Sequence, residues 1–171
     1  MFCDIRGFTS IVESQPPEVV IELLNTYYTL AFDAIGAHGG VVNQMIGDGL
    51  MALFRRNSAA GTGRAPRSVG GAVQPRTGSS RQTGNPHRRG HASGSVVAGY
   101  TGTEARATYT CVGDAVNLAA RLEAHTKEAG RPLLVDAATS ANVGEAFASE
   151  PLGRVFKGKA APVEMFAVTA L

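Results

Sequence analysis

At 171 residues, 44% of them hydrophobic and 18% charged, with a net charge of +2, the chain has the size and composition of one globular domain able to bury a core. It contains no apolar run long enough to cross a membrane and no signal-peptide pattern, and two cysteines are too few for a disulfide framework, so a cytoplasmic protein is expected. The charge is unevenly spread: eight of the 16 basic residues, all arginine, fall in 55–91 without one acid, leaving eight basic residues against 14 acidic ones elsewhere.

Phe2 to Ile5 reads as a short first strand, with Asp4 near its end and Gly7 before a helix start. Ser10-Ile11-Val12-Glu13 has the spacing of a capping box and predicts a short helix. A longer helix is predicted from Pro16-Pro17, where proline is tolerated in the first turn. Val19, Leu23, Tyr27, Ala31 and Ile35, with Val20, Leu24 and Tyr28 alongside, form its apolar stripe, and Gly39-Gly40 should end it. Val42 to Phe54 then predicts a hairpin, two apolar runs around a Gly47-Asp48-Gly49 turn. Taken alone, Asp48 is only a turn former. Paired with Asp4 it becomes a second carboxylate at a strand end, which is what holding divalent cations against a polyphosphate requires.

From Arg55 to His91 the pattern collapses into Arg, Gly, Ser, Thr and Pro, with Val69 and Val73 the only large aliphatics. No helical or strand period is present, so disorder is expected here. An Arg-rich arm for nucleic acid or anionic lipid is the weaker reading, because the segment has no aromatic residue on which a base could stack.

A globular pattern resumes at Ala92. Val96-Val97 and Ala107 to Val112 predict strands, and a helix opens after Gly113-Asp114 and stops at Gly130. Asn117 and Arg121, four apart, share one face of it. Leu133 to Asp136 predicts a strand and Ala137 to Ala148 contains a small helix. Leu152 to Phe156 and Val163 to Thr169 form a final hairpin around Lys157-Gly158-Lys159. Cys3 and Cys111 are expected as small core side chains.

Four segments in this order, around Asp4, around Asp48, from Tyr109 to Glu123 and at Lys157-Gly158-Lys159, resemble the catalytic domain of class III nucleotidyl cyclases, the adenylate and guanylate cyclases. The resemblance covers residues 2–54 and about 94–171. It implies an α+β fold with a ferredoxin-like βαββαβ core and flanking helices. It also implies a reaction in which the ribose 3′-hydroxyl of a nucleoside triphosphate attacks its own α-phosphorus and expels pyrophosphate. In that family Asp4, Ile5 and Asp48 would hold two Mg²⁺ or Mn²⁺ ions. The backbone of Ile5 to Thr9, with Gly7, Phe8 and Thr9, would cradle phosphates, and Lys157 would grip the terminal ones. Asn117 would orient the ribose and Arg121 would neutralise the α-phosphate. Gln44 stands where adenylate cyclases carry Lys and guanylate cyclases Glu, and can both donate and accept. Thr110 leans towards ATP, so ATP is the expected substrate, with weak discrimination against GTP.

The resemblance further implies a homodimer, or a heterodimer with another cyclase domain, because the metal aspartates of one protomer face the base-reading and Asn/Arg residues of the other. The family has a helix and a central strand where 55–91 lies, and neither pattern is visible there. Preserved length with lost register suggests that 55 to about 91 is read out of frame between two compensating shifts. The alternative to a working enzyme is a degenerate cyclase-homology module that at most dimerises.

Overall fold

Strand β1 (Phe2–Ile5) is the axis of the main sheet, because other strands pair with both of its edges. The computed structural model describes residues 1–55, 87–144, 147–155 and 162–170. After β1 the chain turns at Gly7, whose φ of 73° is a glycine conformation, into α1 (Phe8–Ser14). The predicted capping box at Ser10 is therefore not what starts this helix. Gly7 is the N-cap, its carbonyl accepts from the N–H groups of Ser10 and Ile11, and Ser10 lies inside the first turn.

Helix α2 (Pro17–Ala37) begins on its proline, as predicted, and buries Val20, Tyr27, Ala31 and Ile35. Val19 is 46% exposed and falls outside the stripe, which centres on position 20, about 100° further round the helix. Strands β2 (Gly40–Ile46) and β3 (Gly49–Phe54) form the predicted antiparallel hairpin. Its register slips between Val42 and Gln44, a bulge at Asn43 that sits next to Gln44.

Residues 56–86, where disorder is expected, lie outside the described ones. At the end of that stretch the sequence reading needs correction. His87 to His91 form β4, a central strand antiparallel to β1 and parallel to β7 (Leu133–Asp136). Regular structure is present at His87–His91, ahead of the expected Ala92. The physical reason is that backbone ladders, not side chains, fix this strand: β1 and β7 offer unpaired edges on either side. Strands β2-β3-β1-β4 stand in the order of a ferredoxin-like βαββαβ unit, with α2 its first helix.

Strands β5 (Val97–Thr103) and β6 (Arg106–Val112) form a separate two-stranded sheet. Helix α3 (Asp114–Ala129) ends at Gly130, in the left-handed conformation with φ 64°. The short α4 (Ala137–Ser140) is capped by Asp136, whose side chain accepts from the Thr139 N–H at 3.0 Å. The final hairpin, β8 (Phe147–Val155) and β9 (Val163–Ala170), extends the main sheet into the order β2-β3-β1-β4-β7-β9-β8. Lys157-Gly158-Lys159 lies outside the described residues.

Helices cover both faces of the sheet. On one, α2 packs Tyr27, Ala31 and Ile35 against Cys3, Ile5, Leu50 and Ala52. On the other, α3 packs Leu118 and Leu122 against Leu134, Met165 and Ala167. Helix α3 can lie close because position 90 is glycine: a Cβ there would stand 2.1 Å from the Ala119 carbonyl oxygen and 2.2 Å from the Glu123 nitrogen. Both cysteines are buried, as expected.

Candidate active site

The two predicted carboxylates converge. Asp4 is the next-to-last residue of β1, Asp48 occupies the β2–β3 turn, and the Ile5 N–H donates to Asp48 Oδ2 at 3.3 Å. Gly47 supplies the positive φ of 62° that the turn needs. Tyr28 on α2 holds this turn from below: its hydroxyl donates to the Gly47 carbonyl and, at 3.3 Å, to the Gly49 carbonyl, the two residues flanking Asp48. Burial, and then the negative charge of Asp4, push the Asp48 carboxyl up, while the backbone N–H groups of Asp48 and Ile5 pull it down.

Arg88 and Glu123 complete the cluster, and the sequence reading missed both. Asp4 and Arg88 are register partners across β1 and β4. The guanidinium donates from Nε to Oδ1 at 3.0 Å and from Nη2 to Oδ2 at 2.8 Å, so both oxygens of Asp4 are engaged. Arg88 Nε also lies 3.7 Å from Glu123 Oε1, a buried oxygen with no hydrogen-bond partner. Burial, with Asp4 beside it, pushes the Glu123 carboxyl up to about 7. Arg88 could have been found only by recognising β4 as a strand. Glu123 could have been found only from the crossing of α3 over Gly90.

Asp4, Asp48 and the Ile5 carbonyl are hard oxygen donors of the kind Mg²⁺ and Mn²⁺ prefer. Two carboxylates drawn together through the Ile5 N–H, in a partly buried turn where burial and Asp4 push Asp48 up, fit a divalent cation. Among the described residues, no group of three or more His, Cys, Asp or Glu side chains forms a ready-made metal cage.

The other predicted residues lie apart from this pair. Gln44 lies on β2 and Thr110 on β6, and the two strands touch where the Cys111 thiol donates to Asn43 Oδ1 at 3.5 Å, a contact between the residues next to them. Asn117 is exposed on α3 and Arg121 is one turn further along. Arg121 and Glu123 are two positions apart, so they leave the helix about 200° from one another. The face carrying Asn117 and Arg121 is thus turned away from Asp4. Gly7, Phe8 and Thr9 form the start of α1, directly after the Asp4 strand.

The sequence matches the adenylate and guanylate cyclase catalytic domain family over residues 1–169. The chain belongs to that family. It is 31% identical to adenylate cyclase 1 of Rhizobium meliloti, over 100% of this chain and 27% of that protein. It is 32% identical to the adenylate cyclase of Anabaena cylindrica, over 99% of this chain and 36% of that one. It thus spans about a third or less of these two relatives. Among solved structures, the adenylyl cyclase CyaB from P. aeruginosa superposes with a TM-score of 0.76 at 27% identity, covering 99% of this chain and 92% of that one. A bacterial light-regulated adenylyl cyclase gives a TM-score of 0.78 at 27% identity, covering 98% and 50%. The α+β cyclase fold expected from the motifs is the fold of this chain.

Proposed function

We propose that this cyclase domain converts ATP to 3′,5′-cyclic AMP and pyrophosphate in a dimer, using Mg²⁺ or Mn²⁺. The observation that carries the reading is the convergence of Asp4 and Asp48, tied through the Ile5 N–H. Asp4, Asp48 and the Ile5 carbonyl would hold two ions, which when bound favour ionisation of the 3′-hydroxyl and offset charge on the leaving triphosphate. The chain's own residues position the reactants. The start of α1 at Gly7, Phe8 and Thr9 receives the phosphates, and Lys157 takes the terminal ones. Asn117 orients the ribose, and Arg121 meets charge on the α-phosphate as the 3′-oxygen bond forms and the bond to pyrophosphate breaks.

Two features support a dimer. The Asn117–Arg121 face of α3 points away from the aspartates of its own chain, so a partner's aspartates must meet it. The strands carrying Gln44 and Thr110 also present exposed apolar side chains, among them Val41 at 67% and Val112 at 66%. Gln44 and Thr110 would read the purine, with ATP preferred over GTP.

The test is cyclic nucleotide production with Mn²⁺ and either ATP or GTP, wild type beside Asp48→Ala. We expect turnover with ATP exceeding that with GTP, and a loss of about 10²-fold or more in the variant. A soluble dimer with no turnover would overturn this reading in favour of a homology module without catalysis. That second reading is favoured by one observation, the Arg88 guanidinium already seated on Asp4.

A further inference from the structure

The proposed reaction makes no use of Asp136, although it is a carboxylate only 6% exposed. A buried charge is costly unless hydrogen bonds compensate it. One such bond is the cap on α4, where Oδ1 accepts from the Thr139 N–H at 3.0 Å. Serine or asparagine would cap a four-residue helix as well, without the charge. The rest of the carboxylate is turned to another part of the chain. The Ser93 N–H donates to both of its oxygens, at 3.3 Å to Oδ1 and 3.4 Å to Oδ2. The Ser93 hydroxyl shares a further hydrogen bond with the Thr139 hydroxyl at 2.8 Å. Residue 93 is thus pinned to the β7–α4 junction by backbone and side chain alike.

Ser93 belongs to the link 92–96 between β4 and β5, and that link lies against the start of α3. A Cβ on Gly113 would stand 2.8 Å from the Ser95 carbonyl oxygen and 3.3 Å from Val96 Cα. A Cβ on Gly94 would stand 3.0 Å from Ala115 Cβ. The Gly113 carbonyl accepts from the Val116 and Asn117 N–H groups, at 3.1 and 3.3 Å, which closes the first turn of the helix. A contact path therefore runs from Asp136 through Ser93, Gly94 and Ser95 to Gly113, Ala115 and Asn117. Resting on the reading of Asn117 as the group that orients the ribose, we propose that Asp136 is a positioning residue for Asn117. It anchors the 92–96 link, and the link holds the first turn of α3 in place. Asn117 itself is exposed, so its own packing does little to fix it.

The full chain is compared as wild type, Asp136→Ser, Asn117→Ala and the double variant. Serine keeps an oxygen to cap α4 but is too short to hold Ser93. Amide hydrogen exchange in residues 113–118 of Asp136→Ser should quicken about ten-fold, with residues 137–143 changed less than about two-fold. Unchanged exchange in 113–118 would reduce Asp136 to a helix cap and overturn the proposal. With ATP and Mn²⁺, Asp136→Ser should lower kcat about ten-fold and shift KM less than about two-fold. In the Asn117→Ala background the same change should lower kcat less than about two-fold, because the group it positions is already gone. Equal losses in both backgrounds would also overturn the proposal.

Asn117→Ala separates this failure from that of the underlying reading. If it lowers kcat while Asp136→Ser does not, ribose orientation stands and the positioning role alone falls. If Asn117→Ala turns over like wild type, or wild type makes no cyclic nucleotide, the underlying reading falls and the proposal with it. Where Asp136→Ser does not fold, Gly94→Ala takes its place, since its Cβ wedges the link away from Ala115. The same quickened exchange and the same background-dependent loss are expected of it, and equal losses in both backgrounds overturn the proposal.

Discussion

At the scale of single residues, the site is built from side chains that hold other side chains. Asp48 sits in a turn, and a turn alone would leave its carboxylate free to wander. Tyr28 prevents this by bonding the carbonyls on either side of it. Removing that hydroxyl costs about 1–2 kcal/mol of local order. We expect Tyr28→Phe to raise the Mn²⁺ concentration needed for half-maximal activity several-fold and to lower kcat, with little change in the KM for nucleotide. A metal titration beside a substrate titration separates the two effects. An equal fall in both parameters, tracking a lower melting temperature, would reduce Tyr28 to a packing residue.

Elements show where sequence reading succeeds and where it fails. The β2–β3 hairpin was legible because Gly47 and Asp48 are turn residues between two apolar runs. Helix α3 was legible because Gly113 and Gly130 punctuate it and its apolar positions recur at helical spacing. Strand β4 was not legible. His87-Arg88-Arg89-Gly90-His91 carries no strand signal in its side chains, and only its neighbours make it one. The cost of that mismatch is visible in the core. His87 and Arg89 are buried, and the His87 ring stacks on Tyr27 at 5.3 Å, where a β-branched residue would serve better.

Burial, with Arg89 nearby, holds the His87 imidazole down to about 4. The folded state therefore keeps His87 neutral through a range in which the unfolded chain already binds a proton. As pH falls from about 6.5 to about 4, the unfolded state gains protons that the folded state refuses, and stability must fall. Chemical denaturation across that window should show the loss, and His87→Leu should flatten it. The expected out-of-frame reading of residues 55 to about 91 falls mostly outside the described residues. Sequencing the locus in related strains, and finding one uninterrupted frame with this same segment, would remove it.

For the whole molecule, the decisive geometry is that one helix looks both ways. Glu123 faces the aspartates of its own chain while Asn117 and Arg121 face outward. Chains carrying Asp48→Ala and chains carrying Arg121→Ala should each be inactive. Mixed in equal amounts they should recover about a quarter of wild-type activity, because half the dimers are mixed and each mixed dimer has one intact site. No recovery from mixtures shown to exchange subunits would place every functional group of a site on one chain. The motif order at Asp4, Asp48 and Asn117/Arg121 makes the family legible in the sequence. The inward role of α3 was not legible, since it depends on how closely a helix can lie on a strand.

That closeness has a mechanical meaning. At Gly90 the backbone of α3 rests on the backbone of β4 with no side chain between them to yield. Strand and helix thus form one stiff lever carrying Arg88 on one arm and Glu123 on the other, while Asp4 belongs to the neighbouring strand. A partner that pushes on the outer face of α3 cannot compress this joint.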